Sequence, residues 1–373
     1  GDFAVQWIGE VFVEGTIHVT NGTSLNITGT GPESIADGGN VIQLFYIDRG
    51  SSLHLSDMTL TNGNASGSND DGGAIFVEES SVSFSGSISF ISNSASDNGG
   101  ALDARDSNVS WDGGDVEFSN NSADEDGGAI YAWESTVSWD ADGTLFSGNH
   151  AAGNGGAIAA IYSTVFWDGD GTLFSSNSAD LGGAIYSSYD SIVSWDGDGT
   201  LFSNNSADED GGAIYAYDMT VSWVGDSTQF SNNYVRSEYG DGGAVWAKFS
   251  TVSWDGDSTQ FSNNSAEFGG AVIAESSTVS WDGDATQFSN NYARGEIGHG
   301  GAIYAFSASV YWGGNRTQFS NNFARGDRGG AISVESSAVS WNGDNTLFIN
   351  NNSTGSHGGA IYAWDSTVSW NGD

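Results

Sequence analysis

Carboxylates recur in this chain at a fixed interval. Asp142, Asp170, Asp198, Asp226, Asp257 and Asp284 each stand three residues after a tryptophan, and Asn315 and Asp344 continue the row. If copies stack at the strand spacing of about 4.8 Å, like charges repel by about 1 kcal/mol per neighbouring pair even in water. Bound Ca²⁺, a hard cation that takes carboxylate and carbonyl oxygens, would relieve that repulsion. Asp-Gly also makes the turn unaided. The acidic residue directly after Trp is lost at Val224, Gly313 and Asn342, which a uniform metal ladder should not tolerate. Ca²⁺ is therefore one reading and a plain turn the other, and no cofactor is required.

Other chemistry is sparse. The five histidines, at 18, 54, 150, 299 and 357, form no pair in sequence. With 48 acidic residues, almost any two carboxylates could be named an acid and a base, so that signal carries little. No catalytic residue is assigned. Cysteine is absent, which removes disulfides and thiolate metal sites. The net charge is −40, with one lysine, Lys248, and seven arginines. That balance opposes nucleic acid and anionic membrane and favours solubility and cations. No run of about 18 apolar residues is present, so no membrane insertion is expected. Asn-X-Ser/Thr sequons occur at Asn21, Asn26, Asn64, Asn108, Asn120, Asn204, Asn263, Asn315, Asn351 and Asn352, and ten of them support a secreted glycoprotein.

The element that must carry all this is a repeat. Gly-Gly-Ala begins at residues 72, 99, 127, 155, 182, 211, 242, 269, 300, 329 and 358. A period of about 28 means a solenoid, propeller or array. Each copy offers three short strands: Ile130 and Ala132 alternating with Tyr131, then Val137 and Trp139 on one face, then Phe146. Helical periodicity is nowhere visible. The chain is expected to be all-β, a right-handed parallel β-helix solenoid with three short strands per coil. Residues 1–71 read as an N-terminal cap with degenerate first coils. Residues 72–373 read as eleven coils, the last incomplete at Asp373 and open to another chain. Stacking would lay like on like, with Trp, Phe and Asn rows lining the lumen.

Two surfaces then stand out. Tyr131, Tyr186, Tyr215, Trp246, Tyr304 and Tyr362 form an outward row, with Trp133, Tyr189, Tyr217, Phe306 and Trp364 two residues further on. Such a strip serves as a ladder or as a binding face for sugar rings or another copy. Longer loops carry Tyr234 with Arg236, Tyr292 with Arg294, and Phe323 with Arg325; they are solvated decoration or a contact face.

Gly-Gly-Ala-Ile paired with Phe-x-x-Asn (Phe118 to Asn121, Phe202 to Asn205, Phe319 to Asn322) resembles the chlamydial-type polymorphic outer-membrane protein repeat. The resemblance covers residues 72–373 and implies a pectin-lyase-like β-helix found in surface adhesins. The residues depart from it in having no Cys and in carrying Trp at nearly every second strand, and no C-terminal barrel is expected, which favours a secreted structural homologue. The expectation is an extracellular or cell-surface structural element that associates with itself, with a glycan-binding adhesin as alternative and a polysaccharide lyase or hydrolase as a third.

Overall fold

A computed structural model of the chain describes residues 2–31, 33–67, 70–326, 328–355 and 357–372. Asp373, the expected open end, lies outside the described residues. The fold is a parallel β-solenoid of about 13 coils of roughly 28 residues, with three sheets and, among the described residues, no helix. Two compact units, Gly1–Ala179 and Asp180–Asp373, are taken in turn.

In the N-terminal unit the coil around Tyr131 shows the plan. Ile130–Trp133 lies in the first sheet, Thr136–Trp139 and Leu145–Ser147 in the second, and His150–Ala151 in the third. Each segment pairs in parallel with its counterpart a coil away: Ile130 with Leu102 and Ile158, Trp139 with Trp111 and Trp167, Phe146 with Phe118 and Phe174. The sides of the coil differ from the expected ones. The Phe strand joins the sheet of the Trp strand, and the third sheet is built from two-residue strands such as Ser122–Ala123. In earlier coils Ser52–Thr61 and Ser81–Ile91 run straight through both second-sheet segments.

Gly127 and Gly128 show why the turn needs two glycines. Gly127 holds a left-handed φ of +71, and a Cβ on Gly128 would lie 2.2 Å from the carbonyl oxygen of Gly156 in the next coil. The lumen is dry and aromatic. Trp139 and Trp167 stack at 4.9 Å and 3°, and Phe146 lies 4.8 Å from Phe174. Between the Phe strand and the third sheet runs an asparagine row. Asn121 donates its backbone N–H and its side-chain amide to Asn149 Oδ1, both at 3.0 Å, and the amide also reaches Phe90 O.

The C-terminal unit repeats this plan. Trp195, Trp223, Trp254, Trp281, Trp312 and Trp341 are fully buried, so the indoles point inward as expected. Centroids of successive indoles lie 4.2 to 4.8 Å apart, all stacked flat except the edge-on pair Trp223–Trp254. Asn205, Asn233, Asn264, Asn291 and Asn322 are completely buried and linked amide to amide.

Candidate functional site

With the lumen closed, chemistry is left to the outer faces, and the first sheet has the most varied one. In the C-terminal unit its middle outward positions are Tyr186, Tyr215, Trp246, Ile273, Tyr304, Ser333 and Tyr362, aligned coil by coil. Tyr186 and Tyr215 stack at 5.2 Å, and Tyr215 and Trp246 at 4.3 Å and 6°. This flat stacking corrects the expected exposure. Trp246 is 7% exposed, and Tyr131 in the N-terminal unit is 6% exposed, because neighbouring groups cover their faces. Burial raises the Tyr304 hydroxyl to about 12, helped by the charges of Glu335 and Asp241.

The second row is the exposed one. Trp133 in the N-terminal unit, and Phe306 and Trp364 in the C-terminal unit, present their rings to solvent. Tyr189 does not belong to the row as expected. Ser188 pairs with Tyr217, and Tyr189 sits one residue later in the turn with φ 55. The spacing from Tyr186 is three residues, not two, so strand alternation does not carry over.

Charged groups interrupt the aromatic face, and sequence reading missed them. In the N-terminal unit Arg105 binds Asp71 at 2.7 Å and the fully buried Asp103 at 3.0 Å, with its guanidinium over the rings of Phe76 and Tyr131. Burial pushes the Asp103 carboxyl well up, and Arg105 opposes that. Asp70, Asp71 and Asp97 bring ligand oxygens within 4.8 Å of one another beside this arginine. In the C-terminal unit Glu335 is held by Arg328 at 2.7 Å and by His299 at 3.2 Å, and Arg328 lies over Tyr362. A second acidic pair there has no such arginine. Asp241 donates its N–H to Asp210 Oδ1 at 2.8 Å, and its own Oδ1 accepts from Phe268 N at 3.2 Å. Burial first, then the charge of Asp210, raises Asp241 to about 8; burial raises Asp210 to about 6. The available signal was an acidic residue at the position before Gly-Gly, where the repeat otherwise varies freely.

The inserted loops do converge. Arg236, Tyr292, Arg294 and Arg325 line one hollow of about 830 Å³ together with Tyr239, Glu267, Phe268 and Ile297; Tyr234 and Phe323 are not in its lining. Arg236 is tied to Asp208 at 2.7 Å, and Arg294 donates to the carbonyls of Val235 and Ser237. Arg325 reaches Glu296 only at 3.8 Å.

The periodic aspartates form a hydrogen-bonded ladder. In the N-terminal unit Asp142 Oδ1 accepts Asp170 N at 2.9 Å. In the C-terminal unit Asp198, Asp226, Asp257 and Asp284 accept the N–H of Asp226, Asp257, Asp284 and Asn315 at 2.7 to 2.8 Å. The Asn315 N–H, with Arg316, holds Asp284 below the usual carboxylate range. Each backbone N–H thus offsets one carboxylate. Among the sequons, Asn120, Asn204 and Asn263 are exposed at left-handed corners, whereas Asn351 is spent in the asparagine row, where its Nδ2 donates to Phe319 O at 2.9 Å.

The Chlamydia polymorphic membrane protein (Chlamydia_PMP) repeat matches at residues 87–105, 115–132, 143–161, 171–188, 199–217, 285–305 and 345–363. The chain carries seven copies of this repeat. The repeat and the fold point to a surface or autotransporter-type structural protein, and the repeat family to an outer-membrane or surface location. That family is not known as enzymatic. No helix among the described residues is long and apolar enough to cross a membrane. No curated protein and no solved structure matches the chain. Asp241, Phe268, Ile273 and Glu275 fall between two matched copies of the repeat, outside both.

Proposed function

We propose that the chain is a structural element of an extracellular or cell-surface assembly, glycosylated on its exposed corners, whose copies pack side by side through aromatic turns. The observation that carries this reading is the backbone of those turns. Tyr189 and Phe249 in the C-terminal unit, and Tyr162 in the N-terminal unit, hold φ of 52 to 55. Bulky side chains rarely adopt that conformation, at a cost of about 1–3 kcal/mol each. The turn requires this backbone, since Glu134, Asp218, Ser276, Ser307 and Ser336 hold it in other coils, yet these three place an aromatic ring there that is 45–52% exposed. In the C-terminal unit Tyr217 bridges them, 6.1 Å from Tyr189 and 5.8 Å from Phe249. Exposed rings two coils apart, joined through Tyr217 on the coil between them, suit a lateral contact.

Sedimentation velocity over a hundredfold concentration range tests this. Wild type should form larger species as concentration rises, and the double variant Tyr189→Ser, Phe249→Ser should stay monomeric. A wild type that is monomeric throughout would sink the proposal.

A second reading rests on other exposed rings. Phe306 and Trp364 present their rings to solvent, with Glu335 paired to both as an acidic hydrogen-bond acceptor, which suits a neutral glycan. Glycan-array binding lost on Phe306→Ser and Trp364→Ser would favour adhesion over packing.

A further inference from the structure

Two places in the fold are built alike and filled differently. In the N-terminal unit Asp71 precedes its glycine pair, Phe76 follows it, and Arg105 arrives from the next coil to sit on the carboxylate and over the rings. In the C-terminal unit Asp241 precedes the glycine pair that begins at Gly242, and the next coil brings Glu275 to the place of Arg105. The strand registers fix that correspondence: Glu78 pairs with Arg105 as Lys248 pairs with Glu275. The charge at the key position is reversed.

The consequence is a groove of about 260 Å³ lined by Asp241, Phe268, Ile273, Glu275, Tyr304 and Phe306. It has three aromatic walls, an aliphatic floor and two carboxylates. Its volume suits one side chain rather than a whole small molecule. Lys248 already pairs with one of these carboxylates: its Nζ binds Glu275 at 2.7 Å and lies over the Phe249 ring, which leaves Asp241 as the carboxylate for an incoming cation. Past Phe268 the groove adjoins the larger hollow of the inserted loops, which also has Phe268 in its wall.

We propose that this groove captures an arginine or lysine side chain of a partner polypeptide, its cation seated between Asp241 and the rings of Tyr304, Phe306 and Phe268. Three arguments carry it. The chain places its own arginine beside the matching aspartate, Asp71, in the N-terminal unit, where Asp103 also holds it at the position Ile273 takes in the groove, so the fold accepts a guanidinium beside that carboxylate. Aromatic walls with carboxylates recognise cations through ring faces and charge. A net charge of −40 draws basic partners and repels acidic ones. Asp241 gives a fourth indication. Its carboxyl is held up by burial first and then by the charges of Asp210, Glu267 and Glu275, so a cation seated beside it would favour its ionised form. This inference stands apart from the lateral packing proposed above, and failure of either leaves the other untouched.

Calorimetric titration of the full chain at about pH 9, where the Asp241 carboxyl is ionised, tests it with the peptide acetyl-Gly-Arg-Gly-amide and its uncharged analogue carrying citrulline. The arginine peptide should bind, and the citrulline peptide at least tenfold more weakly. Asp241→Asn should weaken arginine binding at least tenfold. An amide is tolerated at this position, since Asn98 Oδ1 accepts the Asp126 N–H at the corresponding place. Glu275→Arg, which rebuilds the self-filled arrangement of Arg105, should abolish binding and gives the same answer if Asp241→Asn folds poorly. Absence of binding, equal binding of both peptides, or binding unchanged in both variants would overturn the proposal. Binding of methyl glucoside in place of the arginine peptide would overturn it in favour of a sugar.

Discussion

Asn233 Oδ1 receives two donors from Asn205, the backbone N–H and the side-chain amide, each at 3.0 Å. In turn Asn233 Nδ2 reaches Asn264 Oδ1 at 3.1 Å and Phe202 O at 3.0 Å. Truncation would remove both bonds that Oδ1 accepts and both that Nδ2 donates inside a buried row, at about 1–3 kcal/mol for each buried polar group affected. Asn233→Ala is therefore expected to cost about 3 kcal/mol or more in urea unfolding. A loss below about 0.5 kcal/mol would show that the row is decoration.

The indole of Trp223 packs 4.4 Å from Trp195 and 4.2 Å from Trp254, and its buried N–H has no acceptor. Removing that N–H breaks no hydrogen bond. Trp223→Phe should then cost under about 1.5 kcal/mol, as a swap that keeps most of the volume. Trp223→Ala opens a cavity and should cost about 3–5 kcal/mol. Equal losses for the two would mean that the indole contributes more than volume.

The lumen was legible in the sequence because stacking forces like on like. Val137, Trp139, Phe146 and Asn149 each recur at one position per coil, and each is buried. The outer face was legible only in part. Side-chain alternation set Tyr215 and Trp246 apart from the lumen residues beside them, but it could not show that flat stacking would bury Trp246. Nor could spacing reveal the Arg105 and Asp241 constellations. Their members lie on different coils, and a repeat read one copy at a time averages away a charge reversal between Arg105 and Glu275. The third sheet was missed because Ser122–Ala123 is too short to show any period.

Asn351 and Asn352 are both sequon asparagines, yet their amides differ in availability. Asn351 Nδ2 donates to Phe319 O at 2.9 Å and its Oδ1 accepts from the backbone N–H and the side-chain amide of Asn322, each at 3.0 Å, while Asn352 is exposed. A glycan replaces one amide hydrogen and needs room. Expression in a glycosylating host should place sugar on Asn352 and leave Asn351 bare in peptide mass mapping. Occupancy of Asn351 would mean that the last members of the row open before the chain is modified.

Asp241 makes the fold sensitive to pH in a definite direction. Burial, then the charge of Asp210, raises its carboxyl to about 8, whereas an unfolded aspartate ionises near 3.9. Between about pH 4 and 8 the folded chain keeps a proton that the unfolded chain has released, so stability falls as pH rises. Below that window both states are protonated, and above it both are ionised, so this group contributes no slope. Asp241→Asn removes the titration and keeps an acceptor for Phe268 N. Thermal unfolding of wild type should therefore decline more steeply than that of the variant from pH 5 to 8.5. The curves should lie closest in acid, with the variant the more stable at pH 8. Parallel curves across the window would mean that Asp241 ionises as an ordinary surface carboxylate.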